Sequence, residues 1–404
     1  MTLEFEKLTA DLEKMAQTTG KRLAQRQERV AEVLDALTRY RTNWTAVSNA
    51  LTTAKKLADE KFYRSARPFD HGEPLDSHIP APAPPPQATI IAADGSQIMP
   101  DRHAAHLYYL INVGGIVYHH GSHQTPDTFS EPEIFYPETD EALDKFTISS
   151  GVVSIERDVK EIATLAQKSV AARQLAQPVV SILDQRLLYW PIGSAGVADN
   201  AAVTEWGENM TVMRYAGALL CGYIDRPGTS AVITLLRSLT GLDDPKFDWK
   251  TLGQRQATQG VTDADIFQEL LQPGERSKIF VYVSEPNQSF AEQDAANEVC
   301  FFYLNPGQVG KNIARVDIPR WVAEDEGAVT AVHSLIVDQC RILGDYPYVI
   351  ARADEMAVVG RQDAAELNFM IDVVMERHGI SEAITSKQGS KELARGGRTR
   401  HEGI

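Results

Sequence analysis

Apolar side chains recur every seven residues near the start of the chain, at Leu23, Val30, Leu37, Trp44 and Leu51. A second row, Val33, Tyr40 and Val47, sits three positions after members of the first. This period gives residues 1–60 the stripe of a helical hairpin or short coiled coil, packing on itself, on the main domain or on a second subunit. Replacing Leu37 and Trp44 with charged residues is therefore expected to disturb assembly. The stretch HIPAPAPPPQ, residues 78–87, blocks helix and removes backbone donors, so it reads as an extended connector. ATIIAAD (88–94) is then a buried-strand run ending on a carboxylate. HLYYLINV (106–113) and GIVYHH (115–120) read as two further strands, with Gly114-Gly115 suited to a tight hairpin turn between them. From about 150 to 175 the spacing becomes helical, with Ile155, Val159, Ile162 and Ala166 on one face. PVVSILD (178–184) is another buried strand ending on a carboxylate. Gly222-Tyr223 reads as a loop leading into a helix at ITLLRSL (233–239). Strand-like runs follow at KIFVYV (278–283), VCFFYL (299–304) and IARVDI (313–318). The last third is helical, roughly 326–343 and 361–378, with DYPYVIARADE between. The expected organisation is a helical extension (1–65), a linker (66–87), one α/β domain (88–380) and a basic tail (381–404).

Composition narrows the class. Apolar content of 43% with 24% charged residues fits a globular protein, and no run is apolar long enough to span a bilayer. The charged N-terminus lacks the features of a signal peptide, and the widely spaced Cys221, Cys300 and Cys340 fit no metal or disulfide pattern. A reducing cytoplasm is the expected location. A net charge of -15 argues against wholesale coating of nucleic acid, although a nuclease with a metal-neutralised acidic site and a small basic groove remains compatible with it. Basic residues concentrate in the tail, at Lys387, Lys391, Arg395, Arg398 and Arg400, which reads as a solvated end or as a DNA- or partner-binding arm.

The chemistry lies in the order of the acidic residues. Two strands deliver Asp94 (AADGSQ) and Asp184 (SILDQR), and the helix between them carries Glu156, Asp158 and Glu161. Strand–aspartate, hairpin, acidic helix, strand–aspartate is the order of RNase H-like nucleases, whose first and fourth strands lie side by side. Two Mg²⁺ or Mn²⁺ ions about 4 Å apart, held by carboxylates, can activate water and neutralise a leaving oxygen. Taken singly, Asp94-Gly95-Ser96 can be a strand-end turn, Asp184 a chain cap, and the helix glutamates a solvated face.

The ordered segments AADGSQ, the acidic helix, SILDQRLLYW, GYIDRPGTSAVITLLR, ARVDIPRWV and GDYPYVIARADEMAVV, over roughly residues 86–375, resemble the NurA nucleases. The resemblance implies an RNase H-like mixed sheet flanked by helices, here with an N-terminal helical hairpin or coiled-coil extension. It implies a Mn²⁺- or Mg²⁺-dependent deoxyribonuclease using two ions, with 5′–3′ exonuclease and single-strand endonuclease activity on DNA ends. The implied partners are a second copy of the chain and the hexameric HerA-like translocase, in recombinational repair. Asp94 and Asp184 match the family's strand aspartates, although Gln185-Arg186 follows the second in place of a Gly-Ser-like turn. Glu161, 23 residues before Asp184 and in an Arg-x-x-x-Glu context with Arg157, is favoured as the helix ligand. Glu156 is the runner-up, on the other flank of the apolar stripe. Tyr346 and Asp354 have the spacing of the family's tyrosine and metal-binding histidine, so an aspartate stands where histidine is common. An aspartate keeps an oxygen ligand for a hard cation, or else caps a helix start. Tyr346 is a packing residue or a hydroxyl donor to phosphate. Arg226 is a candidate phosphate contact before a helix N-terminus, or an exposed loop arginine. His119, His120 and His123 read as exposed histidines near a turn rather than ligands.

Two other readings stay open: a catalytically weakened NurA-like docking subunit, and an actin-like ATPase built on Asp94-Gly95-Ser96. The second lacks the further phosphate loop and the glycine-rich nucleotide site it needs, and there is no Walker motif.

Overall fold

The structure is a computed structural model that describes residues 5–101, 106–139, 150–192, 199–254, 260–307 and 312–380. The basic tail lies outside the described residues. The apolar stripe of the N-terminus forms two helices, α1 (Thr9–Arg39) and α2 (Trp44–Leu57). Asn43 caps the second by accepting from the backbone N–H of Ala46. Strands β1 (Ser65–Pro68) and β2 (His78–Ile79) follow. Then come β3 (Ala88–Ile98), β4 (Tyr109–His120), β5 (Asp127–Phe135), α3 (Ser150–Ala171), β6 (Val179–Leu183) and α4 (Asn200–Ala216). The C-terminal half comprises β7 (Ala218–Asp225), α5 (Ala231–Gly241), α6 (Asp263–Leu270), β8 (Arg276–Ser277), β9 (Phe280–Val283) and α7 (Glu285–Gln293). It ends with β10 (Val299–Leu304), β11 (Ala314–Pro319), α8 (Arg320–Ala323), α9 (Glu326–Leu343), α10 (Tyr348–Ala357) and α11 (Arg361–Arg377). This is the expected mixed α/β class. No helix among the described residues is long and apolar enough to cross a membrane.

The chain divides into two compact units. The first comprises Met1–Pro86, Asp184–Leu188 and Leu219–Tyr348; the second comprises Gln87–Leu183, Tyr189–Ala218 and Val349–Ile404.

In the second unit the strand order is β6-β3-β4-β5. β3 runs antiparallel to β4 over its whole length, β4 runs antiparallel to β5, and β6 joins β3 in parallel. The side-by-side placement expected of the first and fourth strands is therefore present. Two details differ from expectation. Gly114-Gly115 is not a hairpin turn: residues 109–120 form one strand, and the reversal comes afterwards, before β5. Asp94 does not end its strand either, because β3 continues to Ile98. The glycines are there for space, since a Cβ on Gly115 would fall 2.3 Å from the Ala92 carbonyl oxygen.

In the first unit the strands run β1-β9-β10-β11-β7, with β8 paired to β10 and β2. Gly222-Tyr223 lies inside β7 rather than in a loop. Of the expected linker 66–87, Arg67 and Pro68 end β1, Leu75 is fully buried, and β2 pairs with β8. Leu37, Tyr40, Val47 and Ala50 enter a core with the apolar face of α5, Phe267, Phe280, Phe301 and Tyr303. Leu37 is 1% exposed and Trp44 packs against the same core, so a charge at either position strikes this unit's own interior rather than an outward face. The exposed apolar side chains of α1 lie further upstream, at Leu12, Met15 and Leu23.

A buried carboxylate organises this core. The Asp263 carboxylate accepts from the backbone N–H groups of Val232 (3.0 Å) and Ile233 (2.9 Å) and from the Tyr303 hydroxyl (2.7 Å), so it caps α5 from outside that helix. Burial pushes its pKa up to about 6 despite these donors. His333 on α9 is also buried, with Nε2 2.8 Å from the Gly274 carbonyl oxygen, and burial lowers its pKa to about 4. The imidazole is thus held neutral in the fold, whereas the unfolded chain takes up a proton near pH 6.5. The His333 contribution to stability is expected to fall as pH drops from about 6.5 toward 4, because there the unfolded imidazole binds a proton that the folded one does not, while Asp263, whose carboxyl the fold raises, acts in the opposite sense over part of that range. Urea unfolding of the wild type and of His333→Gln across that range checks this: the variant should lack this part of the slope, and parallel curves would contradict it.

Candidate metal centre

The parallel pairing of β3 with β6 ends at Ala93 opposite Leu183, and Asp94 and Asp184 are the next residues of their segments. In the second unit, Asp94 is half-buried. Burial raises its carboxyl above the ordinary carboxylate range, the Gly95 N–H pulls it back, and Asp354 raises it again by charge repulsion and hydrogen bonding. The Arg157 guanidinium opposes that rise. Two carboxylates within hydrogen-bonding reach of each other call for a proton or a cation between them.

Asp354 reaches Asp94 because of how α10 sits on the sheet. It lies in the body of that helix, not at its start, so the helix-capping reading does not hold. A Cβ on Gly114 would fall 2.2 Å from the Ala357 nitrogen and 2.3 Å from the Met356 carbonyl carbon, so the helix end rests directly on the strand backbone. The Ala357 carbonyl, at the helix end where no further turn can satisfy it, accepts from Ser96 Oγ (2.5 Å) and Asn112 Nδ2 (2.9 Å). Asp354 is thereby fixed from both β3 and β4.

The two helix glutamates separate as their spacing implied. Glu161 is 3% exposed, and a Cβ on Gly95 would come within 3.3 Å of its Oε2, which places that oxygen beside the Asp94 segment. Glu156 instead accepts from the Tyr109 hydroxyl at 2.5 Å. Asp94, Asp354 and Glu161 therefore gather around one stretch of β3, and Glu156 stands apart from it. Among the described residues, no three His, Cys, Asp or Glu side chains form a ready-made metal cage.

In the first unit, the Tyr346 hydroxyl donates to Asp184 Oδ2 at 2.8 Å, and its ring meets Tyr223 edge-on at 5.6 Å. Sequence reasoning missed what holds the Asp184 segment. The Leu187 N–H donates to Asp317 Oδ2 (3.1 Å), and Asp317 Oδ1 accepts from Arg315 Nε (2.6 Å). The Arg315 guanidinium lies 4.0 Å from the Phe301 ring centre and 4.9 Å from that of Tyr282. Gly222 is bare because a Cβ there would fall 2.2 Å from the Gln185 carbonyl oxygen. The available signal was an Arg and an Asp two apart in the otherwise apolar run IARVDI, hence on one face of a strand.

Arg226 occupies the left-handed region (φ 46°) with an exposed side chain 3.7 Å from Asp225. His119 Nε2 lies 3.0 Å from Asp127 Oδ2 across the β4–β5 pairing, and its side chain is largely covered rather than exposed as expected. The three cysteines are free and buried.

The family model described as the NurA domain matches residues 88–359. Among solved structures, the NurA nuclease from Sulfolobus solfataricus is similar at 12% identity and a TM-score of 0.41, over 82% of this chain and 94% of that one. A structure of NurA with manganese gives 10% identity and a TM-score of 0.38, over 75% and 92% of the two chains. An endonuclease V from Ciona intestinalis in complex with DNA gives 11% identity and a TM-score of 0.29, over 80% and 98%. These structural likenesses are remote. No curated protein matches the chain.

Proposed function

Because the chain belongs to the NurA family, with the domain matched over residues 88–359, we propose that it is a divalent-metal-dependent deoxyribonuclease acting on DNA ends and single strands. The observation that carries this reading is the meeting of the Asp94 and Asp354 carboxyls, with Glu161 beside them, at one point on β3. The donor set suits a hard cation, being all carboxylate oxygen with no thiolate or imidazole, and the mutual repulsion of Asp94 and Asp354 is what such a cation would relieve. Asp94, Glu161 and Asp354 would hold Mn²⁺ or Mg²⁺, and the family resemblance adds Asp184 as a fourth ligand for a pair of ions. Such ions supply a water of lowered pKa and neutralise charge on the leaving oxygen.

The chain's own groups then have distinct tasks. Asp94 and Asp354 are set by the sheet and by the helix end resting on it, so their oxygens converge without long flexible stems. Glu161 is buried and cannot wander. Tyr346 orients the Asp184 carboxylate through its hydroxyl and is available to a phosphate oxygen. Arg226, exposed before α5, is a second candidate phosphate contact. Family membership supports three finer points: 5′–3′ exonuclease together with single-strand endonuclease activity, a homodimer, and docking on a HerA-like hexameric ATPase.

Purified protein should degrade an end-labelled single strand with Mn²⁺ and stop when EDTA is added; no degradation with either metal would overturn the reading. Tyr346→Phe keeps the ring against Tyr223 and removes only the hydroxyl. It is expected to slow cleavage about 10- to 100-fold, as for the loss of a group that orients a metal ligand. Unchanged kcat in that variant would remove the hydroxyl from the mechanism.

A further inference from the structure

Arg157 is not explained by the carboxylate cluster alone. Its Cγ packs on the backbone of Gly95, where a Cβ would fall 2.8 Å away, and its charge is felt by both Asp94 and Glu161. A guanidinium serving only to neutralise those carboxylates would bond to them. Instead Nε and Nη2 both donate to one oxygen of the neighbouring Asp158, at 3.1 and 2.6 Å. The other Asp158 oxygen accepts from the Tyr189 hydroxyl at 3.2 Å, and the Tyr189 ring stacks on Trp206 at 4.3 Å. Trp206 is fully buried, so this brace is anchored in the core. Nη1 has no hydrogen-bond partner among the described residues, and the side chain is 31% exposed.

The arrangement therefore holds a permanent cation beside the metal ligands without using those ligands to hold it. Cations bound at Asp94 would repel this guanidinium, and Asp158 keeps it in place. The anion such a braced group suits is one with several oxygens and a fixed charge, which matches the planar donor edge of arginine. We propose that Arg157 is a DNA-contacting residue, its guanidinium donating to a non-bridging phosphate oxygen of the strand bound at Asp94, with Asp158, Tyr189 and Trp206 as its positioning brace. The proposal rests on the nuclease reading given above.

The test is binding of a fluorescein-labelled single strand, followed by anisotropy over a salt series with Ca²⁺ in place of Mn²⁺, for wild type, Arg157→Gln, Arg157→Lys and Tyr189→Phe. Arg157→Gln should bind on the order of tenfold more weakly regardless of sequence, and the slope of log affinity against log salt should shrink by about 0.7, one phosphate contact on a single strand. Lysine should restore the slope but not all of the cleavage rate, since it keeps the charge and loses the fork. Tyr189→Phe should fall between wild type and the glutamine variant. Mn²⁺ affinity measured by calorimetry should not fall in any of them. Wild-type affinity and salt slope in Arg157→Gln, with the wild type cutting DNA normally, would overturn the proposal alone. Should Arg157→Gln melt early, the lysine and Tyr189→Phe slopes decide: a lysine variant without the phosphate contact in its slope overturns the assignment. A wild-type protein that neither binds nor cuts would overturn the nuclease reading as well.

Discussion

Asp94→Ala is expected to lower the rate of Mn²⁺-dependent DNA degradation by about a thousandfold or more, since removing a ligand between two cations forfeits several kcal/mol of transition-state stabilisation. The same substitution should not destabilise the fold. Burial and the neighbouring Asp354 both raise the Asp94 carboxyl, which means the folded protein bears a cost for its charge. Removing it relieves that cost, so the melting temperature without metal should stay level or rise. Loss of activity with retained stability is the signature of a group kept for chemistry. Labelled DNA, matched protein preparations and a melting curve suffice. If the variant degrades DNA as fast as the wild type, the activity belongs to a contaminant and the assignment fails. If neither degrades DNA but both still bind a hexameric ATPase, the docking-subunit reading replaces it.

Gly114→Ala should act in the opposite sense, damaging the fold first and the chemistry through it. The added carbon would lie 2.2 Å from a backbone nitrogen of α10, and no side-chain rotation can relieve a clash between two backbones. The helix must lift or the strand must bend, at about 1–3 kcal/mol or more. Asp354 rides on that helix, and a shift near 1 Å in a reacting group costs about a hundredfold in rate. Melting temperature and kcat should therefore fall together. The control is Gly20→Ala on α1, where nothing lies within 4 Å and helix propensity favours alanine by about 0.5–1 kcal/mol. Wild-type stability in Gly114→Ala would mean that α10 does not rest on β4 as described.

The same glycine shows what could be read from the chain and what could not. The order of strands and of the acidic helix was visible in apolar periodicity, and the β3–β6 adjacency was implied by the likeness of that order to RNase H-like nucleases. Gly114 and Gly222 were misread for one reason. A glycine inside a strand marks either a turn or the close approach of another backbone, and only the fold says which. β5 escaped notice because it is exposed along almost its whole length, so no alternation marks it. β1 is four residues long, and α4 has only a weak apolar stripe. At the site, Asp94, Glu161, Asp184, Tyr346 and Asp354 came from order and family resemblance, and the first-choice glutamate is the one that lies beside Gly95. The supporting bonds, from Asp158 to Tyr189 and from Asp317 to Leu187, join residues about 30 and 130 positions apart, and no local pattern records them.

The carboxylate that caps α5 arrives 31 and 30 residues after the two amides it serves. Residues 231–241 leave the ribosome before residue 263 does, so the first turn of this apolar helix must wait, with two bare N–H groups, for a segment that emerges later. Its formation is tied to closure of the surrounding core rather than to its own sequence. A chain ending anywhere between residues 241 and 263 would carry an apolar, uncapped segment prone to sticking to its neighbours.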